Sequence, residues 1–388
     1  MTEDQFRADA RAWLADHVGP YRVETPALPF ADAGDDAHLD RGRAWQRELH
    51  AGGWAGLGWP GEYGGRDLPM ALQAVWAEEL AAAGAPPPVN LIGEAVAGPA
   101  ILAHGTAEQR RRYLPPILDA GEIWCQMFSE PDAGSDLAAV AATATPHEGG
   151  WTVDGHKTWS SGAHYADRGL LLARTDARVP KHEGLTCFLL DMHAPGVVVR
   201  PVRQMTGGSA FDDVLLDGAQ VADADRLGPA GGGWAVAMTA LASERHQLGL
   251  GSARAGAGVD RLLDELRPCA DPVLRQLAAQ LVIDARTAQL LGRSGGQGPS
   301  GPLSGGQGPS GPLSGGQGPE AALVKLASAR VSRRYDELVD AMRGAGSMLT
   351  DEHTLRQLWL PATRIAGGTD EILKNVIAER VLGLPKGS

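Results

Sequence analysis

The chain has 388 residues, and its 47 acidic residues outnumber the 35 basic ones for a net charge of −12, with no run of Lys and Arg to offer nucleic acid a basic face. At 43% hydrophobic residues and 10 Trp it can build a core, which excludes a disordered chain, and its length allows two or three domains. Glycine and proline (52 and 26) are in excess, without the period of three that collagen requires.

In chain order, residues 1–120 read as helices over 4–17, 41–49 and 71–83, followed by one opening at Thr106. There Gln109 completes a capping box, each side chain satisfying the other residue's free backbone amide. Residues 121–228 change character. Short apolar runs (169–174, 185–190, 197–202, 214–216) recur about every dozen residues, separated by turn dipeptides such as Asp154-Gly155 and Asp217-Gly218. That pattern predicts an antiparallel sheet or barrel. Helical periodicity returns over 233–266, 272–292 and 319–343, then near 351–359 and 369–381. The layout is α+β, with expected domains at 1–120, 121–228 and 229–388. Within the last, Ser294–Leu303 repeats identically as Ser304–Leu313 and begins again as Ser314–Pro319. These 26 residues hold 11 Gly and 5 Pro and predict a flexible, solvent-exposed loop.

The three cysteines (Cys125, Cys187, Cys269) are far apart and odd in number, which fits a reduced compartment. Charged residues at the N-terminus stand where a signal peptide needs an apolar stretch, and no apolar run approaches the ~20 residues of a membrane span. The expectation is a soluble, cytoplasmic protein.

Most chemical motifs are absent. Gly56-Leu-Gly58-Trp-Pro-Gly61 matches the dinucleotide pattern G-x-G-x-x-G, but a helix rather than a strand is expected before it, and Pro60 and a turn stand where the helix should begin, so it is set aside. The histidines have no metal-ligand spacing, and no serine sits in a nucleophile elbow. Two segments are more specific. Phe128-Ser-Glu-Pro-Asp-Ala-Gly-Ser-Asp136 forms a polar loop. Lys157-Thr-Trp-Ser-Ser161 puts an aromatic ring and a hydroxyl two residues apart, on one face of a strand. Trp159 could lie against a planar heterocycle while Ser129 and Ser161 bond its edge.

Together these segments resemble the acyl-CoA dehydrogenase family. So do Trp59-Pro-Gly-Glu-Tyr-Gly-Gly65, Gly232-Gly-Trp234, Gly344-Ala-Gly346 and Gly368-Thr-Asp-Glu-Ile372, in the same order along nearly the whole chain. The resemblance implies an N-terminal helical domain, a middle β-barrel and a C-terminal four-helix bundle, with FAD as cofactor and an acyl-CoA as substrate. It also implies an electron-transferring flavoprotein as acceptor and a role in lipid metabolism of the fatty acid β-oxidation kind. By position, Gln126, Phe128 and Ser129 would line the flavin pyrimidine, Trp159 would cover the ring and Ser161 would bond near N5. Gly344, Thr369 and Glu371 would contact FAD, Gly344 reaching that of a neighbouring subunit. Ser135 and Arg245 would meet the substrate.

Many members place a catalytic glutamate immediately before the Gly-Thr pair. Here that position is Gly367, which keeps a backbone N–H for the thioester oxygen but carries no base. A smaller branch, resembling isovaleryl, long-chain and actinobacterial steroid-side-chain enzymes, supplies the glutamate from the first long helix after the barrel. The matching residue is Glu244. The family's Arg-x-x-Phe-Gly element has no counterpart at 265–271, and Asp340 replaces a glutamine that usually precedes the G-x-G turn. FAD binding with help from a related subunit is therefore expected beside a homodimer or homotetramer. The alternatives are a flavin-dependent monooxygenase of the same fold and a non-catalytic subunit of a heteromeric dehydrogenase.

Overall fold

A computed structural model describes residues 1–23, 36–250, 252–293 and 320–386. The repeat at 294–319 and position 251 within the expected 233–266 helix lie outside the described residues. The chain divides into two compact units. The first holds Met1–Pro26, Leu68–Ala85 and Ala242–Ser388, and the second Ala27–Asp67 and Pro86–Leu241.

The second unit begins with α2 (Asp36–Ala51), and the first takes α1 (Glu3–His17) and α3 (Met70–Ala82). Thr2 and Gln5 form a capping box at the start of α1. Phe6, Ala10 and Leu14 recur every four residues and are buried, so α1 presents one apolar stripe, and α1 packs against α3. Glu79 on α3 is itself buried and is held by Arg7 at 2.5 Å and Arg11 at 2.7 Å.

In the second unit α4 (Gly98–His104) and α5 (Ala107–Leu118) precede the sheet, with α5 capped by Thr106 and Gln109 as the sequence predicts. The strands are β1 (Trp124–Met127), β2 (Thr143–His147), β3 (Gly150–Ser161), β4 (Arg168–Arg174), β5 (Leu185–Asp191), β6 (Val197–Val202), β7 (Phe211–Ala222) and β8 (Arg226–Leu227). They form one sheet in the order β6-β7-β3-β2-β4-β5-β8, with β1 beside β4. Pairing is antiparallel except for β1 with β4 and a single β2–β4 pair. The β2–β3 hairpin intervenes between β1 and β4, so the chain re-enters in the direction in which it left, giving the parallel contacts that the expected antiparallel barrel lacks. Val153, Leu171, Phe188, Leu190, Val214 and Leu216 are among the residues of its core.

Helix α6 (Gly233–Leu250) begins in the second unit and ends in the first. The first unit continues with α7 (Ser252–Leu266), α8 (Pro272–Arg293) and α9 (Glu320–Arg343), packed around Val259, Leu262, Leu281, Val331 and Leu338. It ends with α10 (Glu352–Ile365) and α11 (Asp370–Val376). No helix among the described residues is long and apolar enough to cross a membrane.

Candidate active site

In the second unit the two segments singled out in the sequence lie side by side. The Thr158 N–H donates to the Ser129 carbonyl at 3.0 Å, which joins the end of β1 to the middle of β3. The Lys157 side chain crosses beneath, its Nζ donating to the Phe128 carbonyl at 3.1 Å and to Glu130 Oε1 at 2.6 Å. Lys157 is fully buried. Burial pulls its pKa down to about 8 against the opposing pull of Glu130. For Glu130 burial acts upward, but Lys157 and the N–H groups of Ala141 and Ala142 (2.6 and 2.9 Å) hold its carboxyl below the usual range. One buried ion pair thus pins both ends of the polar loop at 128–142.

Above that pair the strand is irregular. The β3–β7 register shifts between Lys157 and Ser160, an extra residue that leaves Thr158 and Trp159 both away from the buried face. Trp159 has φ +57°, in the left-handed region that a bulky residue rarely adopts, and its ring is 58% exposed, edge-on to Phe211 at 5.7 Å. A large aromatic held exposed on a strained backbone is a feature of binding surfaces. Ser161 is half-buried beside it. No hydrogen bond among the described residues uses the side chains of Gln126, Ser129 or Ser161, and the buried Ser160 hydroxyl also has no partner. A flat ring with polar edges fits this face: Trp159 offers a stacking surface and the neighbouring residues unspent donors and acceptors. Phe128 is buried beneath, and Ser135 is exposed in the loop.

In the first unit Glu244 and Arg245 lie on α6, both half-buried. The Arg245 Nε–H donates to the Gly367 carbonyl at 2.8 Å. Burial lowers the guanidinium pKa while Glu244 acts in the opposite sense. Gly367 and Gly368 form the turn between α10 and α11, at φ +68° and +102°, and a side chain at either would be strained. Thr369 caps α11, its hydroxyl accepting from the Ile372 N–H at 3.2 Å, and Glu371 is exposed in the first turn of that helix. Gly344 stands at φ +52°, with open space where a Cβ would be. Asp340 accepts from His353 Nε2 at 3.0 Å and from Gln357, so its charge is occupied within the helices.

Structure therefore places the Ser129 and Trp159–Ser161 segments side by side with Phe128 buried beneath, and links Arg245, next to Glu244, with Gly367. Gly344 follows the C-terminal end of α9. Sequence reasoning missed Lys157 and Lys325 as buried anchors. For Lys325 the only signal was a lysine among apolar neighbours, which reads equally as a solvated charge, and Lys157, between His156 and Thr158, carried no local signal of burial. Gly56–Gly61 is a turn that follows α2, with no strand before it among the described residues, in line with setting it aside. Trp59 instead packs its indole where a Cβ on Gly98 would fall, 2.1 Å away, a packing role for that motif. Among the described residues no cluster of three His, Cys, Asp or Glu could hold a metal.

Helical, sheet and helical segments follow one another along the chain, an α+β scaffold. Models of the acyl-CoA dehydrogenase N-terminal, middle and C-terminal domains match residues 1–121, 125–215 and 231–382. The chain is 37% identical over 393 residues to "Acyl-CoA dehydrogenase IpdE1" of Mycobacterium tuberculosis, covering 99% of this chain and 98% of that protein. It is 39% identical over 335 residues to "Acyl-CoA dehydrogenase FadE34" of the same organism, covering 84% of this chain and 44% of that one. Among solved structures, "Tcur3481-Tcur3483 steroid ACAD" superposes with a TM-score of 0.83 at 24% identity over 99% of this chain and 98% of that chain. The "ChsE4-ChsE5 complex from Mycobacterium tuberculosis" gives 0.80 at 24%, over 99% and 98%. The chain belongs to the acyl-CoA dehydrogenase family, whose members are FAD-binding oxidoreductases acting on CH–CH bonds.

Proposed function

We propose that this chain removes the elements of hydrogen across the α,β bond of an acyl-CoA thioester, giving the trans-2-enoyl thioester, with Glu244 as the base. The observation that carries this reading is the 2.8 Å bond from Arg245 Nε to the Gly367 carbonyl. It ties the residue beside Glu244 to the turn where many relatives carry their glutamate. The α-proton of a thioester is weakly acidic, so its removal calls for a carboxylate withdrawn from bulk water. Glu244 is half-buried, and it acts electrostatically on both Arg245 and Lys325. As the proton leaves, charge develops on the thioester oxygen. No hydrogen bond among the described residues occupies the Gly367 N–H, which would donate to that oxygen. Arg245 and Ser135 would contact the acyl-CoA. Gln126, Phe128, Ser129, Trp159 and Ser161 would hold the flavin ring, with Gly344, Thr369 and Glu371 on the rest of FAD. Bound flavin supplies the acceptor for the β-hydride. Electrons would leave to an electron-transferring flavoprotein, and the expected division at residues 120 and 228 is part of this reading.

A second reading concerns assembly. Met348 (83% exposed), Ile365 (62%) and Leu382 (65%) leave apolar surface on the first unit. Burial of that surface against a copy of this chain or a related subunit, as a dimer, homotetramer or heterotetramer, follows from it. The solved relative titled as a ChsE4–ChsE5 complex provides a precedent for unlike chains. The test of function is anaerobic: purified flavin-loaded protein is mixed with straight, branched and polycyclic acyl-CoAs while its visible spectrum is recorded. Bleaching by at least one of them, lost in Glu244→Gln, supports the base assignment. Bleaching at the wild-type rate in that variant refutes it. In a parallel aerobic run, oxygen consumption that incorporates oxygen into product would favour the monooxygenase alternative, and a colourless chain that gains flavin only with a partner the subunit one.

A further inference from the structure

Lys325 on α9 is 2% exposed and has no role assigned above. Its Nζ donates to the Arg364 carbonyl in the last turn of α10 at 3.1 Å and to the Gly368 carbonyl at 2.9 Å. It also stands 3.6 Å from Oδ1 of Asp370, which opens α11 and is itself buried. The other carboxylate oxygen of Asp370 accepts from Arg364 Nε at 2.8 Å. A single ammonium therefore joins the C-terminus of one helix, the N-terminus of the next and the turn between them.

That turn has two consecutive glycines at positive φ, a conformation with little intrinsic preference of its own. Both of its carbonyls are taken by cations from other helices, that of Gly367 by Arg245 and that of Gly368 by Lys325. The two cations hold the 367–368 and 368–369 peptide planes, and the Ala366 N–H, bonded to the Ala362 carbonyl at 2.9 Å, holds the 365–366 plane, so the 366–367 peptide that carries the Gly367 N–H is restrained from both sides. We propose that Lys325 is a positioning residue for the reaction: with Arg245 it clamps the Gly367–Gly368 turn so that the Gly367 N–H is held ready for the thioester oxygen. This rests on the dehydrogenase reading above. Burial lowers the Lys325 pKa, against the opposing pull of Asp370 and then Glu244. An uncharged apolar replacement removes both hydrogen bonds and leaves Asp370 with Arg364 as its cation.

The test compares wild type with Lys325→Met and Lys325→Gln, the latter keeping one donor without the charge. Hydrogen–deuterium exchange over 362–373 is read first, because it needs neither substrate nor turnover. Faster exchange of that segment in Lys325→Met, with Lys325→Gln intermediate and the 107–118 helix unchanged, is the expected result. In flavin-loaded protein the rate of bleaching per bound flavin at saturating acyl-CoA is expected to fall about 10–100-fold, as loss of geometry at an oxyanion donor does. The acyl-CoA Kd should move by less than about threefold, since the N–H matters most as charge develops. A merely structural lysine would lower the melting temperature and flavin content and leave the rate per flavin intact, which overturns the proposal, as does unchanged exchange at 362–373. If Lys325→Met does not fold, Lys325→Gln decides by the same readouts. Wild type that never bleaches refutes the dehydrogenase reading alone, and exchange still reports on the clamp.

Discussion

Replacing Lys157 by methionine separates a cation from the carboxylate it was folded against. Lys157 is fully buried and Glu130 is 8% exposed, so neither charge can turn to water when the other is deleted. Methionine fills the aliphatic volume, and the loss is confined to the 2.6 Å ion pair and the 3.1 Å bond to the Phe128 carbonyl. Breaking a buried pair from one side costs about 3–5 kcal/mol, because an uncompensated charge remains. At about 2–4 °C per kcal/mol for a unit of this size, the melting transition should fall by roughly 6–20 °C. The assay is thermal and urea unfolding of apoprotein at pH 7 with flavin titration of the same samples, since Phe128 and Ser129 sit on the loop that is released. Adding Glu130→Gln should recover much of the loss: the amide keeps one acceptor for the Ala141 and Ala142 N–H groups and removes the orphaned charge. A change below about 1 kcal/mol for Lys157→Met alone, or no recovery in the double variant, would show that the pair is not what holds the loop.

At position 159 the usual ranking of small residues should invert: Trp159→Gly should be more stable than Trp159→Ala by about 1 kcal/mol, because φ +57° strains every residue with a Cβ. Urea melts of the two apoproteins check this, and both should lose flavin affinity. Glu94 lies in a π-helical turn, with Oε1 accepting from Gln46 at 2.8 Å and Oε2 from the Gly56 N–H at 3.3 Å. Burial raises its pKa from 4.5 to about 7, against a smaller opposing pull from the Gly56 N–H. The folded state then holds this proton more tightly than the unfolded chain, so stability contributed by the protonated form is complete below pH ~4.5 and lost as pH rises to ~7, by at most about 3 kcal/mol. Glu94→Gln should flatten the dependence of Tm on pH between 5 and 8, and an unaltered slope would contradict the assignment. Glu244→Gln should slow flavin bleaching by about 10²–10⁴-fold with flavin content unchanged, the usual span of a lost general base.

The order of helices and strands was legible because it depends on local signals. The Thr106–Gln109 capping box is realised in both directions, and the apolar runs at 169–174 and 185–190 became β4 and β5. What stayed hidden depends on where remote residues meet. Nothing near Lys157 tells that Glu130 will lie beneath the same strand, nor does α9 announce that Lys325 will reach a turn some forty positions later. The bulge at Trp159 was missed for a related reason. A strict two-residue alternation describes 159 and 161 correctly, but the extra residue between 157 and 160 appears only once β7 fixes the register. The compact units also cut across the chain, since α1 and α3 belong with the C-terminal helices.

Gly367 then takes on a meaning that its composition alone does not carry. A glutamate at that position would have to adopt φ near +68°, at a cost of about 1–3 kcal/mol, or else rotate the turn and pull its carbonyl away from Arg245. A carboxylate on α6 meets no such conflict, because its backbone is set by helical hydrogen bonds whatever the turn does. On the proposed assignment of the base to Glu244, the left-handed turn and the helix-borne carboxylate are two sides of one arrangement. With the carboxylate on the helix, the turn is free to be glycine and to be held by cations at both carbonyls, and under the proposed reaction the backbone N–H would be its contribution to the chemistry. Moving the base back by Glu244→Gln with Gly367→Glu should therefore not restore bleaching to this chain, even though each residue type would then match the commoner pattern. Recovery to within about tenfold of wild type would mean that the turn relaxes without loss, and that neither Arg245 nor Lys325 constrains it.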